Sequence, residues 1–344
     1  MMKKIMIAAV AATMASVSMA DISITGDAYI AYADNGISDV NTKNAKRVNI
    51  NFKGKSGATT VIASARGDDQ DVDTRTSKLS LHQFYITTKV GPVDIKAGDF
   101  YGTVGLGAFS KSESKTDALM LSTKIGPAKV GVYTHDSATK TGSTDIFVST
   151  KVAGTTVKLQ HNAHSAKGWT NLMVKGTFNG ISVAAENHDS KENKDVTLIH
   201  VGGKVAGVNW DIAQLKNDET ATGFASAKNN SKLAPLGSML IGKGARGGTT
   251  TAAANVGQFS KILGLAVKTK LAGNTVKAIF TKNTLFAGAA ISTVEDKVTG
   301  MELILTRPLS GGMLTANLGK VSGANTDNDV LNATNKGLRF DVKF

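Results

Sequence analysis

The chain has 344 residues, 41% of them hydrophobic and 6% aromatic, with no cysteine and a formal net charge of +13. Lack of cysteine excludes disulfides and thiolate metal sites, and at a mean hydropathy of −0.06 no apolar run approaches the ~20 residues of a membrane-spanning helix. The positive charge invites nucleic acid, but the lysines are scattered rather than clustered and aromatics are too few for base stacking, which excludes that partner.

Residues 1–20 read as a signal peptide: Lys3 and Lys4 form a basic start, Ile5 to Ala12 an apolar stretch, and Ser18-Met19-Ala20 a small-x-small cleavage site. What remains, 21–344, reads as a single domain of charge +11 once Lys3 and Lys4 are gone. It opens on a period-two segment from Asp21, with Ile22, Ile24, Ala28 and Ile30 in phase, and Arg47-Val48-Asn49-Ile50-Asn51-Phe52-Lys53 alternates in the same way. Further strands are expected near 58–66, 79–90, 93–99, 117–125, 128–135, 144–152, 155–163, 169–178, 181–187, 194–205, 208–216, 259–271, 275–282, 298–307, 313–320 and 337–344, making eighteen. Short turns such as 91–92, 126–127 and 206–207 alternate with longer polar connections, of which 217–258 is the longest. That is the loop rhythm of a transmembrane, antiparallel, up-and-down β-barrel with short periplasmic turns.

The final strand, Gly337-Leu338-Arg339-Phe340-Asp341-Val342-Lys343-Phe344, puts Leu338, Phe340, Val342 and Phe344 on one face and charge on the other. It is expected to close the barrel against the strand at Asp21, which leaves no open edge. A terminal strand ending in phenylalanine resembles the assembly signal of bacterial outer-membrane barrels. Phe340, Val342 and Phe344 are therefore the expected closure residues, with the outer-membrane assembly machinery and outer-membrane lipid as partners.

The stretch FYITTKVGPVDIKAGDFYGTVGLGAF, from Phe84 to Phe109, resembles the core of the Gram-negative general-diffusion porins, as do the mature start and the LRFDVKF ending. The resemblance implies a homotrimeric, water-filled, passive channel of the outer membrane for small hydrophilic solutes. It also implies that segment 100–117 folds into the lumen as a constriction, lined by Lys96, Asp99, Lys111, Glu113, Lys115 and Asp117. Two departures stand out: such porins usually have sixteen strands, and Gly98-Asp99 replaces their common Gly-Arg. Eighteen strands are typical of substrate-specific sugar or anion channels, which is the alternative function.

By parity Asn49, Asn51, Lys96, Lys158, Gln160, Lys175, Lys268, Thr275 and Lys277 face inward, and polar groups this numerous must face water. The lumen-wall lysines are thus Lys158, Lys175, Lys268 and Lys277. Inward aromatics, Tyr29, Tyr85 and Phe147, are few and dispersed, against a sugar slide. Lys53, Lys89, Lys124, Lys151, Lys204 and Lys270 recur beside the short turns with lumen-facing parity. They predict a positive ring at the periplasmic mouth and an anion-selective pore; the alternative is that they curl outward onto lipid phosphates.

No enzymatic reading survives. His135-Asp136-Ser137 and His188-Asp189-Ser190 hold triad residue types, but neighbours in sequence point apart. His161 and His164 lack further ligands at metal spacing, so neither metal nor cofactor is expected. The run from Gly242 to Gly248 lacks the strand and helix that flank a phosphate loop.

Overall fold

The computed structural model describes residues 21–34, 43–69, 79–102, 104–108, 113–136, 143–191, 195–217, 259–285, 297–323 and 334–344. The segment 1–20 expected as a signal peptide, Lys111 and nearly all of the connection expected at 217–258 lie outside the described residues, as do the side chains of Glu113 and Lys115.

Eighteen strands follow one another: β1 (Asp21–Asp34), β2 (Lys43–Ser56), β3 (Thr59–Asp69), β4 (Leu79–Val90), β5 (Val93–Gly102), β6 (Glu113–Ile125), β7 (Ala128–Asp136), β8 (Ser143–Val152) and β9 (Thr155–Asn162). The second half comprises β10 (Trp169–Phe178), β11 (Ile181–Ser190), β12 (Val196–Val205), β13 (Val208–Asn217), β14 (Phe259–Leu271), β15 (Asn274–Leu285), β16 (Lys297–Leu309), β17 (Gly312–Gly323) and β18 (Thr334–Lys343). Each pairs antiparallel with its sequence neighbours, and β1 pairs with both β2 and β18, so the sheet is a closed barrel. Eighteen, the sequence count, replaces the sixteen attached to the porin resemblance.

Alternation decides which face meets lipid. Ile24, Ile86, Ile125, Val148, Leu172, Ile199, Leu265, Met301 and Leu338 are exposed on the outer wall, where hydrocarbon, not water, is their solvent. Eight two-residue turns, from Gly57-Ala58 to Ser310-Gly311, gather at one end. Four of them, led by Ala153, Asn179, Ala206 and Ala272 at φ 45–47°, have a positive-φ glycine second, the backbone of the primed hairpin turn that follows strand twist.

Closure is tight. The β1–β18 register runs from Asp27 opposite Lys343 to Asp34 opposite Lys336. Beyond it, Phe344 N–H donates to Gly26 O (3.0 Å) and Gly26 N–H to Phe344 O (2.7 Å). The Phe344 ring lies over Gly26, where a Cβ would sit 2.3 Å from it. Deleting Phe344 removes both hydrogen bonds, each worth about 1 kcal/mol, and the cover on Gly26. The expected result is a severalfold drop in folded barrel in the outer membrane of an exporting host; equal levels of truncated and full-length protein would refute it.

The inner wall is not uniformly polar, contrary to the parity reading. On β12–β15 the inward residues Val196, Leu198, Leu215, Ile262, Ala266 and Ile279 are all at most 3% exposed. This part of the inner wall is therefore buried and largely apolar, with the His200–Asp211 pair, Lys268 and Lys277 elsewhere on the same strands.

Candidate constriction and lumen wall

The connection after β5 enters the barrel. Val104, Gly105, Leu106, Gly107 and Ala108 are all buried, and their backbone is fastened to β9 and β11. Glu186 Oε2 accepts the N–H of Leu106 (2.6 Å) and of Ala108 (3.1 Å), while Gln160 Oε1 accepts that of Gly105 (2.9 Å). Asn171 Nδ2 on β10 donates to Glu186 Oε1 (2.8 Å), fixing the carboxylate from the wall side. The segment turns on itself through Gly107 N–H to Val104 O (2.9 Å). Successive N–H groups brought together by left-handed residues, here Gly105 at φ 52° and Gly107 at φ 89°, form a concavity that suits an anion. A Cβ on Gly105 would lie 2.4 Å from Asn171 Oδ1, so only glycine permits this approach.

Of the segment expected as the constriction, 104–108 is the part described inside the barrel, and the charged residues expected with it are placed differently. Glu113, Lys115 and Asp117 belong to β6, not to the loop. Asp99 sits at the irregularity between Gly98 and Phe100, where its Oδ1 accepts the Asp117 N–H (2.9 Å). The described tip carries no charge, because it grips the wall through peptide groups. Of the six residues expected there, Lys96 is the one whose side chain is described on the inner wall, its ammonium 4.1 Å from the Tyr85 ring and 4.0 Å from the Phe100 ring. Those rings continue into Tyr133 and Phe147, with centroids 5.9, 6.5 and 5.4 Å apart along the row. Tyr85 and Phe147, dispersed in sequence, are therefore joined in space, although Phe100 and Phe147 are buried and Tyr29 stands apart on β1.

Half the barrel away from Glu186 on β11, the strands β18, β1, β2 and β3 carry a guanidinium cluster that the sequence reading missed. Arg339 lies 3.7 Å and Arg47 5.6 Å from the centroid of the Tyr29 ring. Arg66 Nε donates to Asn49 Oδ1 (2.8 Å), Asn49 Nδ2 donates to Asp27 Oδ2 (2.7 Å), and Arg339 Nε donates to Asp341 (2.8 Å). Inward parity was the available signal for all of these.

The remaining expected residues are placed as follows. Lys158, Lys175, Lys268 and Lys277 face the lumen, with Lys268 directly opposite Lys277. Lys89, Lys124, Lys151, Lys204 and Lys270 each precede an outward apolar residue at a strand end, so they point inward at the short-turn mouth. Lys53 also points inward but lies higher, because β2 runs on to Ser56 and Lys55 takes the position beside the turn. His188 is buried inward and Asp189 exposed outward, which separates those triad types. His161 Nδ1 is shared with Thr170 Oγ1 (3.0 Å), and His164 Nδ1 accepts from Lys167 N–H (3.0 Å).

No family model matches the chain, and no curated protein matches it. Solved structures do. OccAB2 of Acinetobacter baumannii aligns over 94% of this chain and 98% of its own at 10% identity and TM-score 0.66. OprD of Pseudomonas aeruginosa aligns over 96% and 97% at 12% identity and TM-score 0.65, and the outer membrane protein OpdK of that organism over 94% and 98% at 9% identity and TM-score 0.65. These neighbours share the eighteen-stranded architecture rather than the sixteen-stranded one of the resemblance. At such identities the likeness is one of fold, and the fold is that of a multi-pass outer-membrane β-barrel.

Proposed function

We propose that the chain is a passive channel of the Gram-negative outer membrane that selects among small hydrophilic anions, rather than a general-diffusion pore. The observation that carries this reading is the tip 104–108, clamped by Glu186 and Gln160 inside the barrel and facing the Arg47, Arg66 and Arg339 wall across the lumen. A loop across the bore and a buried, largely apolar part of the wall on β12–β15 narrow the water path. A narrow path makes each wall charge count, because a solute cannot stay a screening length away from it. Eighteen strands and outer-membrane neighbours of that size support the substrate-specific alternative over general diffusion. The aromatic row speaks for sugars, but Phe100 and Phe147 are buried and Lys96 lies over the Tyr85 ring, so anions are preferred. A homotrimer, and recognition of the closing strand by the assembly machinery, belong to the same reading.

The test uses purified protein in a planar bilayer across a KCl gradient. At an effective dielectric of about 20, a unit charge about 8 Å from the permeating ion contributes about 2 kcal/mol. Converting Arg47, Arg66 and Arg339 to glutamine is therefore expected to lower the chloride-to-potassium permeability ratio at least tenfold. An unchanged ratio, or equal passage of anions and neutral sugars of like size into vesicles, would overturn the proposal.

A further inference from the structure

Lysines at the other end of the barrel, away from the short turns, obey the opposite parity. Lys46, Lys261, Lys282, Lys297 and Lys320 lie within four residues of their strand ends and alternate in phase with lipid-facing Phe52, Leu263, Phe280, Met301 and Leu318. All five are exposed, and none has an ion-pair partner among the described residues. Lys216 and Lys336 occupy equivalent outward positions, and both also interact within the chain. Those on β13–β18 form one continuous arc, and Lys46 on β2 stands apart from it across β1.

The arc is specific to that sector and that end. On β3–β12 the described outward positions within the strands at the same level include Thr134, Thr144, His161, Thr170 and Asp189, and Lys191 follows β11 in the outward phase with its ammonium donating to Ser165 O. At the short-turn end the outward positions are apolar, as at Val90, Val152, Val205 and Leu271, with Arg307 the cation among them. A row of ammonium groups directly above an apolar belt, with Asp34 in register opposite Lys336 and Asp69 opposite Lys46 at its β1–β3 end, sits where lipid headgroups begin. Long stems can lie along the belt while the charge reaches the headgroup layer, and a polybasic surface there binds anionic lipid cumulatively.

We infer that this arc is a docking surface for phosphorylated lipid headgroups of the outer leaflet, which orients and anchors one flank of the barrel. The surface is independent of the pore, since these side chains point away from the lumen.

The purified full-length barrel in detergent is mixed with diphosphorylated lipid A or with its dephosphorylated form, and retained lipid is counted by native mass spectrometry. The wild type is expected to retain the diphosphorylated lipid at least tenfold more strongly. Changing Lys46, Lys261, Lys282, Lys297 and Lys320 to glutamine is expected to abolish that preference, while changing the same five to arginine preserves it. Single-channel conductance should be the same in all three proteins, which shows that each variant is folded and separates this inference from the channel proposal. Equal retention of the two lipids by the wild type, or an undiminished preference in the glutamine variant, would overturn it.

Discussion

Replacing Glu186 with alanine is expected to free the constriction loop and raise single-channel conductance, with large open-channel noise. The carboxylate accepts the Leu106 and Ala108 N–H groups and the Asn171 amide inside the barrel. Hydrogen bonds to a charged group are worth about 1.5–3 kcal/mol each, and their removal leaves buried donors unpaired. A total of several kcal/mol converts a detached state populated well below one per cent into one that competes with the docked state. Glu186→Gln keeps the volume but turns one accepting oxygen into a donor aimed at peptide N–H groups, so it should behave nearly as badly. Gly105→Ala reaches the same end from the other side, since its Cβ would collide with Asn171 and Glu186 at 2.4–2.5 Å. Conductance and noise indistinguishable from wild type in Glu186→Ala would show that the loop is held by other means.

The residues of this clamp illustrate what a linear reading can and cannot reach. Strands were legible wherever one face meets lipid and the other water, because only there does polarity change at every residue. They were underestimated where both faces are wet. β2 starts at Lys43 rather than Arg47, and β6 at Glu113 rather than Asp117, through polar stretches with no period to detect. The opposite failure occurs on β14, where Ile262-Leu263-Gly264-Leu265-Ala266-Val267 is apolar without interruption. An unbroken run means that both faces are covered, and the inward Ile262 and Ala266 are indeed buried. Inward polarity there was assumed from the rest of the barrel. Glu186 itself lies 80 residues from Leu106, and nothing in either local sequence points to the other. Its parity placed it inward, and that was the signal available. The aromatic row is similarly built one ring per strand on β4, β5, β7 and β8, visible only once those strands stand side by side.

Anion preference is expected to have two parts that salt can separate. Lys89, Lys124, Lys151, Lys204 and Lys270, with Lys55 and Lys53 on β2, surround the short-turn mouth, and Lys129 stands directly opposite Lys124. None of them has an ion-pair partner among the described residues, although Asp94 stands across from Lys89. Outward positions at this end are mostly apolar, so the ammonium groups belong to the aqueous mouth rather than to lipid phosphates. A ring of exposed charge acts through solvent, where its reach falls from about 30 Å at 0.01 M salt to about 3 Å at 1 M. Charges lining a narrow bore are partly withdrawn from bulk solvent and are screened much less. The lysine contribution should therefore dominate in dilute KCl and vanish near 1 M, whereas the arginine contribution should persist. Converting Lys53, Lys89, Lys124, Lys151, Lys204 and Lys270 to glutamine should flatten the salt dependence of the reversal potential and leave its value in concentrated salt unchanged. Because the ring sits at one mouth only, it also makes the wild-type current–voltage curve asymmetric in dilute salt and linear in concentrated salt. A cation-selective reversal potential, or asymmetry that survives the six substitutions, would remove the ring from the account and leave selectivity to the bore.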